Sequence, residues 1–148
     1  MMASAASENA SRRAPLTPDQ RASSPQNKLI LLVDDEFLMQ ELGRELLEEQ
    51  GYRVIVAGDG LEALELFQQH KDEIALVILD LLMPKLDGGQ TYLALKKLKP
   101  NVKAFFCTGY TPQEIIGSLL EQESLRALQK PFRPSEFVQV VREMLETN

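Results

Sequence analysis

The chain has 148 residues, 44% of them hydrophobic, a single cysteine and a formal net charge of −6 at pH 7. These figures suit one domain with an apolar core, exclude an intramolecular disulfide, and argue against nonspecific nucleic-acid binding. No apolar run approaches the roughly 20 residues needed to cross a bilayer, and the N-terminus lacks the apolar region of a secretory signal.

Residues 1–27 read as a tail or linker. Ala, Ser and Pro fill 14 of these positions, and Met1, Met2 and Leu16 are the only large apolar residues. Burial cannot offset the entropy of ordering such a segment, so disorder is expected, with the folded domain at 28–148. Three Arg face Glu8 and Asp19 in the tail, so the acidic excess lies in the remainder.

From residue 28 short apolar runs alternate with helical patterns. Leu29–Val33 precedes Leu38, Leu42 and Leu46, spaced by four. Val54–Ala57 precedes the pairs Leu61/Leu64 and Ala63/Phe67. Ala75–Leu79 precedes a segment with Lys96, Lys97 and Lys99 near a helix end. These, with Lys103, read as a solvated face favouring the helix C-terminus. Val102–Cys107 follows, where "AFFC" reads as buried strand and Cys107 as a small core residue. Thr111-Pro112-Gln113-Glu114 reads as a capping box with Pro at N1, opening a helix through Ile115, Ile116, Leu119 and Leu120. A weaker run, Leu125–Gln129, precedes Ser135 as N-cap of a last helix bearing Phe137, Val141 and Met144. Strands apolar at consecutive positions are covered on both faces. Five β-then-α units therefore imply an α/β sandwich around a parallel sheet with right-handed crossovers.

The stretch "ALVILDLLMPKLDGG" (75–89) ends an apolar run on one carboxylate, Asp80, and then turns. Asp34 and Asp35 end the first run, Thr108 the fourth and Lys130 the fifth. In a parallel sheet all C-terminal strand ends lie on one edge, where ligands bind. The charge thus sits where a strand leaves the core. Three crowded carboxylates repel, and a hard divalent cation relieves the repulsion. Oxygen ligands suit Mg²⁺ better than Zn²⁺, which favours His or Cys. A carboxylate beside such a cation can accept a phosphoryl group as an aspartyl phosphate, with metal and ammonium stabilising the transferring oxygens.

In "LLVDDE" (31–36), "LVILDLLMPKLDG" (76–88), "TG" (108–109) and "KPF" (130–132), the chain resembles a receiver domain of the two-component response-regulator family. The resemblance covers about residues 28–148. It implies a flavodoxin-like three-layer sandwich with a five-stranded parallel sheet of order 2-1-3-4-5. It implies Asp80 as phosphoacceptor, Asp35 as direct Mg²⁺ ligand, Asp34 as the acid acting through water, and the Leu82 backbone carbonyl as a further ligand. Thr108 matches the switch hydroxyl and Lys130 the salt-bridging lysine, with the Lys130–Pro131 bond usually cis. Gly88 matches the turn glycine after the site. The family often carries an aromatic residue where this chain has Ala127. A turn glycine usual before the last strand is also missing, with Glu123-Ser124 nearby. "TGY" followed by a capped helix resembles receivers attached to hybrid sensor kinases.

Two other chemistries fit the residues less well. Haloacid-dehalogenase-type phosphohydrolases carry a second Asp two residues after the nucleophile, and Leu82 stands there. A flavin-binding module needs a phosphate loop after the first strand, and "VDDEF" offers negative charge instead. A receiver that binds partners without phosphorylation is the third alternative, and the intact site positions argue against it. The reading is a Mg²⁺-dependent phosphoacceptor, taking its phosphoryl group from a histidine kinase or histidine phosphotransfer protein and switching partner binding. Independent substrate turnover, a DNA-binding output domain in this chain, a membrane segment and a further cofactor are not expected. A cytoplasmic location is expected.

Overall fold

The computed structural model describes residues 27–109 and 112–146, the side chains of 112–116 excepted. Most of the tail, Tyr110, the Thr111 cap and the apolar face of Ile115 and Ile116 lie outside the described residues.

The strands are β1 (Leu29–Val33), β2 (Arg53–Ala57), β3 (Ile74–Leu79), β4 (Ala104–Thr108) and β5 (Arg126–Gln129). The helices are α1 (Phe37–Glu49), α2 (Gly60–His70), α3 (Gly88–Leu98), α4 (Pro112–Glu123) and α5 (Pro134–Glu146). All neighbouring strands pair in parallel, in the order β2-β1-β3-β4-β5. The five β-then-α units are as the residue pattern implied, and the strand order is as the family resemblance implied.

Two apolar layers explain the unbroken hydrophobic strands. Leu31, Val33, Val77, Leu79 and Phe106 face Ala63 and Phe67 of α2 and Tyr92 and Leu95 of α3. Ile30, Leu32, Ile78, Phe105 and Cys107 face Met39 and Leu47 of α1 and Phe137 and Val141 of α5. Alternate residues of each strand thus feed opposite layers, and neither face tolerates a polar residue. Cys107 is a core residue, its thiol pushed up to about 12 by burial. β5 is the exception: it is an edge strand with three of four residues exposed.

The helix faces differ in two places from the sequence reading. In α1 the buried residues are Met39, Gly43 and Leu47, while Leu38 and Leu42 are exposed. The cause is Gly43: a Cβ there would meet Leu32 Cδ2 at 2.6 Å, so the helix lies close against β1 along its glycine face. In α5 Ser135 is not the cap. The helix opens at Pro134, a favoured N1 residue, and the Arg133 N–H donates to the Glu136 side chain at 2.8 Å. The lysine cluster is also more engaged than a solvated face. Lys96 pairs with Glu123, Lys99 donates to the Lys71 carbonyl at 3.2 Å, and Lys103 donates to the Met144 carbonyl at 3.0 Å.

Gly88 fixes the path after β3. Its N–H donates to the Leu81 carbonyl at 2.8 Å, and a Cβ would lie 2.2 Å from the backbone oxygen of Asp80. Backbone cannot give way as a side-chain tip can. Gly117, inside α4, has nothing within 4 Å of an added Cβ. The two positions therefore respond oppositely to alanine. Gly88→Ala should lower stability by about 1–3 kcal/mol through overpacking. Gly117→Ala should raise it by up to about 1 kcal/mol through helix propensity. Urea unfolding of both variants checks the pair, and equal signs would contradict the packing described.

Candidate functional site

The sheet order decides which side chains meet. β1 and β3 are neighbours and end in register at Val33 and Leu79. The next residue on each is an aspartate. The Asp34 N–H continues the ladder to the Ala57 carbonyl at 3.1 Å, and the Asp80 N–H to the Val33 carbonyl at 3.0 Å. The two carboxylates therefore stand side by side, Asp34 only 2% and Asp80 only 7% exposed. Thr108, the last residue of β4, is fully buried on the other side of β3. Lys130 follows β5, where its N–H donates to the Thr108 carbonyl at 2.7 Å, and the Lys130–Pro131 bond is cis.

Lys130 crosses back toward the acids. Its Nζ lies 2.8 Å from Asp34 Oδ2, 3.2 Å from Glu36 Oε1 and 3.7 Å from Asp80 Oδ2. Asp80 Oδ1 accepts from the Leu81 N–H at 2.7 Å, and the Thr108 hydroxyl also hydrogen-bonds this carboxylate. Loss of water on burial pushes both aspartates up from their ordinary values, against the lowering pull of Lys130. Mutual repulsion raises Asp80 further. Burial alone would depress the Lys130 ammonium, but Asp34, Asp80 and Glu36 outweigh it and hold it above its ordinary value.

A cleft of about 490 Å³ opens here, lined by Asp35, Glu36, Asp80, Leu82, Gly109 and Lys130. The carboxylates whose oxygens converge within 4.8 Å are those of Asp34, Glu36 and Asp80. Asp35 is exposed at the mouth of the same cleft and is not one of the three. The Leu82 side chain is exposed. Glu36 escaped the sequence reading, although the third acid of "DDE" was visible. Only the turn shows its direction: the Glu36 N–H donates to Asp34 Oδ1 at 2.9 Å, which folds residue 36 back toward the cleft. The converging donors are all oxygens, and one ammonium faces three carboxylates. That excess negative charge fits a hard divalent cation. Phe37 and Leu38, 67% and 80% exposed, extend an apolar rim from Glu36 along α1.

A parallel sheet of this order, carrying paired buried aspartates, a hydroxyl and a lysine at its C-terminal edge, defines a receiver domain, the phosphoacceptor module of two-component and phosphorelay signalling. The chain belongs to that family: residues 30–142 match the response regulator receiver domain. It is 34% identical over 117 residues to sensor kinase CckA of Brucella abortus, covering 79% of this chain and 12% of that protein. It is 29% identical to sporulation initiation phosphotransferase F of Bacillus subtilis, covering 80% of this chain and 94% of that protein. Among solved structures, a receiver domain from Clostridium thermocellum superposes with a TM-score of 0.75 at 26% identity, over 80% of this chain and 94% of that one. Among the described residues no helix is long and apolar enough to cross a membrane.

The raised aspartates give a pH signature. Each binds its proton more tightly folded than unfolded, so its favourable contribution is present below the unfolded value, about 3.9. That contribution is lost as pH rises through the raised folded value. Lys130 does not enter this window: its ammonium is charged in both states until pH passes its unfolded value, about 10.4. Asp80→Asn should therefore raise the melting temperature of the metal-free chain at neutral pH, by roughly 3–5 °C if it relieves about 1 kcal/mol. The advantage should fade toward about pH 3.5. Melting curves in chelator across this range check it, and a variant less stable than wild type at pH 7 would contradict it.

Proposed function

We propose that Asp80 accepts a phosphoryl group from a phosphohistidine, with Asp34, Thr108 and Lys130 as its working neighbours and Mg²⁺ as cofactor. The observation that carries the reading is the convergence of Lys130 and Thr108, from β5 and β4, on the one carboxylate at the end of β3.

Each residue has a task set by its chemistry. An Asp80 oxygen attacks phosphorus, the phosphorus–nitrogen bond breaks, and the imidazole leaves with the electron pair. Burial keeps competing water from the carboxylate and strengthens every interaction around it. Thr108 already hydrogen-bonds Asp80 and the Lys130 ammonium lies 3.7 Å from it, so both are placed to donate to phosphoryl oxygens without large rearrangement. Asp34, Asp80, the Leu82 carbonyl and either Asp35 or Glu36 would hold the cation. When bound, Mg²⁺ neutralises the carboxylate excess and the charge on the transferring oxygens. Leu82 supplies no acid or base to hydrolyse the product, which supports acceptance rather than turnover.

The donor would be a histidine kinase or a histidine phosphotransfer protein. An exposed apolar rim beside a buried charged site is what a protein donor, rather than a small metabolite, would use. Phe37, Leu38 and Leu42 supply it along α1. Leu38→Glu should slow transfer from a phosphohistidine protein at least tenfold relative to labelling by a small phosphodonor, since it places charge in that rim.

The acceptor itself is tested directly. With Mg²⁺ and a small phosphodonor the chain should gain one phosphoryl mass that is labile to base, read by intact-mass spectrometry. Asp80→Asn should gain none. Persistent labelling of Asp80→Asn, or labelling undiminished by chelator, would refute the assignment.

A further inference from the structure

Glu36 occupies the N-cap position of α1 yet makes no side-chain cap bond. A side-chain acceptor at that position ordinarily satisfies an orphan backbone N–H of the first turn. This one is turned elsewhere. The Asp34 side chain takes the Glu36 N–H, and the Gln40 amide donates to the Asp34 carbonyl at 2.7 Å, so the 34–36 turn is braced from two sides. The Glu36 carboxylate then reaches the Lys130 ammonium at 3.2 Å.

The three partners of Lys130 are unequal. Asp34 is buried and near at 2.8 Å, and Glu36 is two-thirds exposed at 3.2 Å. Asp80 is the most distant, at 3.7 Å. The ammonium is thus nearer to two other carboxylates than to the proposed acceptor.

We propose that Glu36 is a positioning residue, a resting anchor that holds Lys130 until a phosphoryl oxygen on Asp80 takes the ammonium over. This rests on the reading of Asp80 as acceptor. The contact has the strength such a role needs. An exposed ion pair biases an equilibrium by about 1.5- to 5-fold, enough to shift Lys130 at rest and too little to withstand a phosphoryl dianion. Asp34, by contrast, is buried against the same ammonium and stays with it. Glu36 therefore sets how readily Lys130 is released.

The test uses beryllofluoride as the phosphoryl mimic, titrated into the full chain at fixed saturating Mg²⁺ and followed by NMR. Glu36→Gln should bind it about two- to fivefold more tightly, because Lys130 no longer has to leave a partner. Glu36→Asp keeps the charge but loses one methylene of reach, and should show the same direction of change. In a Lys130→Met background neither substitution should have any effect. Unchanged or weaker binding by Glu36→Gln overturns the anchor, weaker binding marking Glu36 as a cation ligand instead. A gain that persists in Lys130→Met overturns it too, since charge alone would then explain the gain. If the wild-type chain binds no beryllofluoride, the acceptor reading itself fails. If the wild type binds and the Glu36 variants match it, only the anchor fails.

Discussion

The structure turns on an ammonium held among carboxylates at the end of an otherwise apolar sheet. Asp34 and Asp80 are nearly dry, and burial raises both. Two such groups side by side are costly unless a cation sits against them. Lys130 is that cation at rest, and it comes from a strand end two places across the sheet from β3 and three from β1. The paired aspartates therefore favour a cation beside them.

The sheet makes this arrangement possible because it spends no polar residue elsewhere. β1 and β3 are buried along both faces, so their register is set by ten buried apolar residues rather than by the acids. The acids are carried passively to the point where the strands emerge. The loop after β3 is then closed tightly by the Gly88 N–H on the Leu81 carbonyl, with no room for a Cβ between α3 and the Asp80 backbone. Asp87 and Gln90 lock the start of α3 through a capping box. Asp80 is fixed from the strand side and from the helix side, which holds its carboxylate within reach of donors on two other strands.

Much of this was legible in the sequence because it depends on local chemistry. Unbroken apolar runs announce strands covered on both faces, and Asp34, Asp80, Thr108 and Lys130 could be placed at strand ends without knowing the fold in detail. What escaped depends on distance between elements. The Leu38/Leu42/Leu46 repeat suggested a buried stripe, but the close approach permitted by Gly43 turns Met39, Gly43 and Leu47 inward instead. No single helix pattern encodes the depth at which the helix seats. Glu36 was passed over because its role comes from a backbone turn, not from spacing. The resemblance gave Asp35 the direct metal contact and Asp34 the one through water, yet it is Asp34 whose N–H continues the ladder into the buried edge.

The site is also divided in a way that bears on signalling. Its acids sit on β1 and β3, the buried centre of the sheet, while its donors sit at the ends of β4 and β5. On the proposed reading of Asp80 as acceptor, phosphorylation would replace one carboxylate charge with up to two, and Lys130 and Thr108 would face it. β1, β3 and β4 are all packed on both faces. β5 is an exposed edge, and beside Ala127 a cleft of about 720 Å³ opens against α4, lined by Leu120, Leu125 and Gln129 among others. A bulky ring at 127 would extend into that cleft, which alanine leaves open. Thr108 precedes α4 in the chain and Lys130 precedes α5. The two donors therefore stand at the heads of the last two helices, on the side of the sheet away from β2.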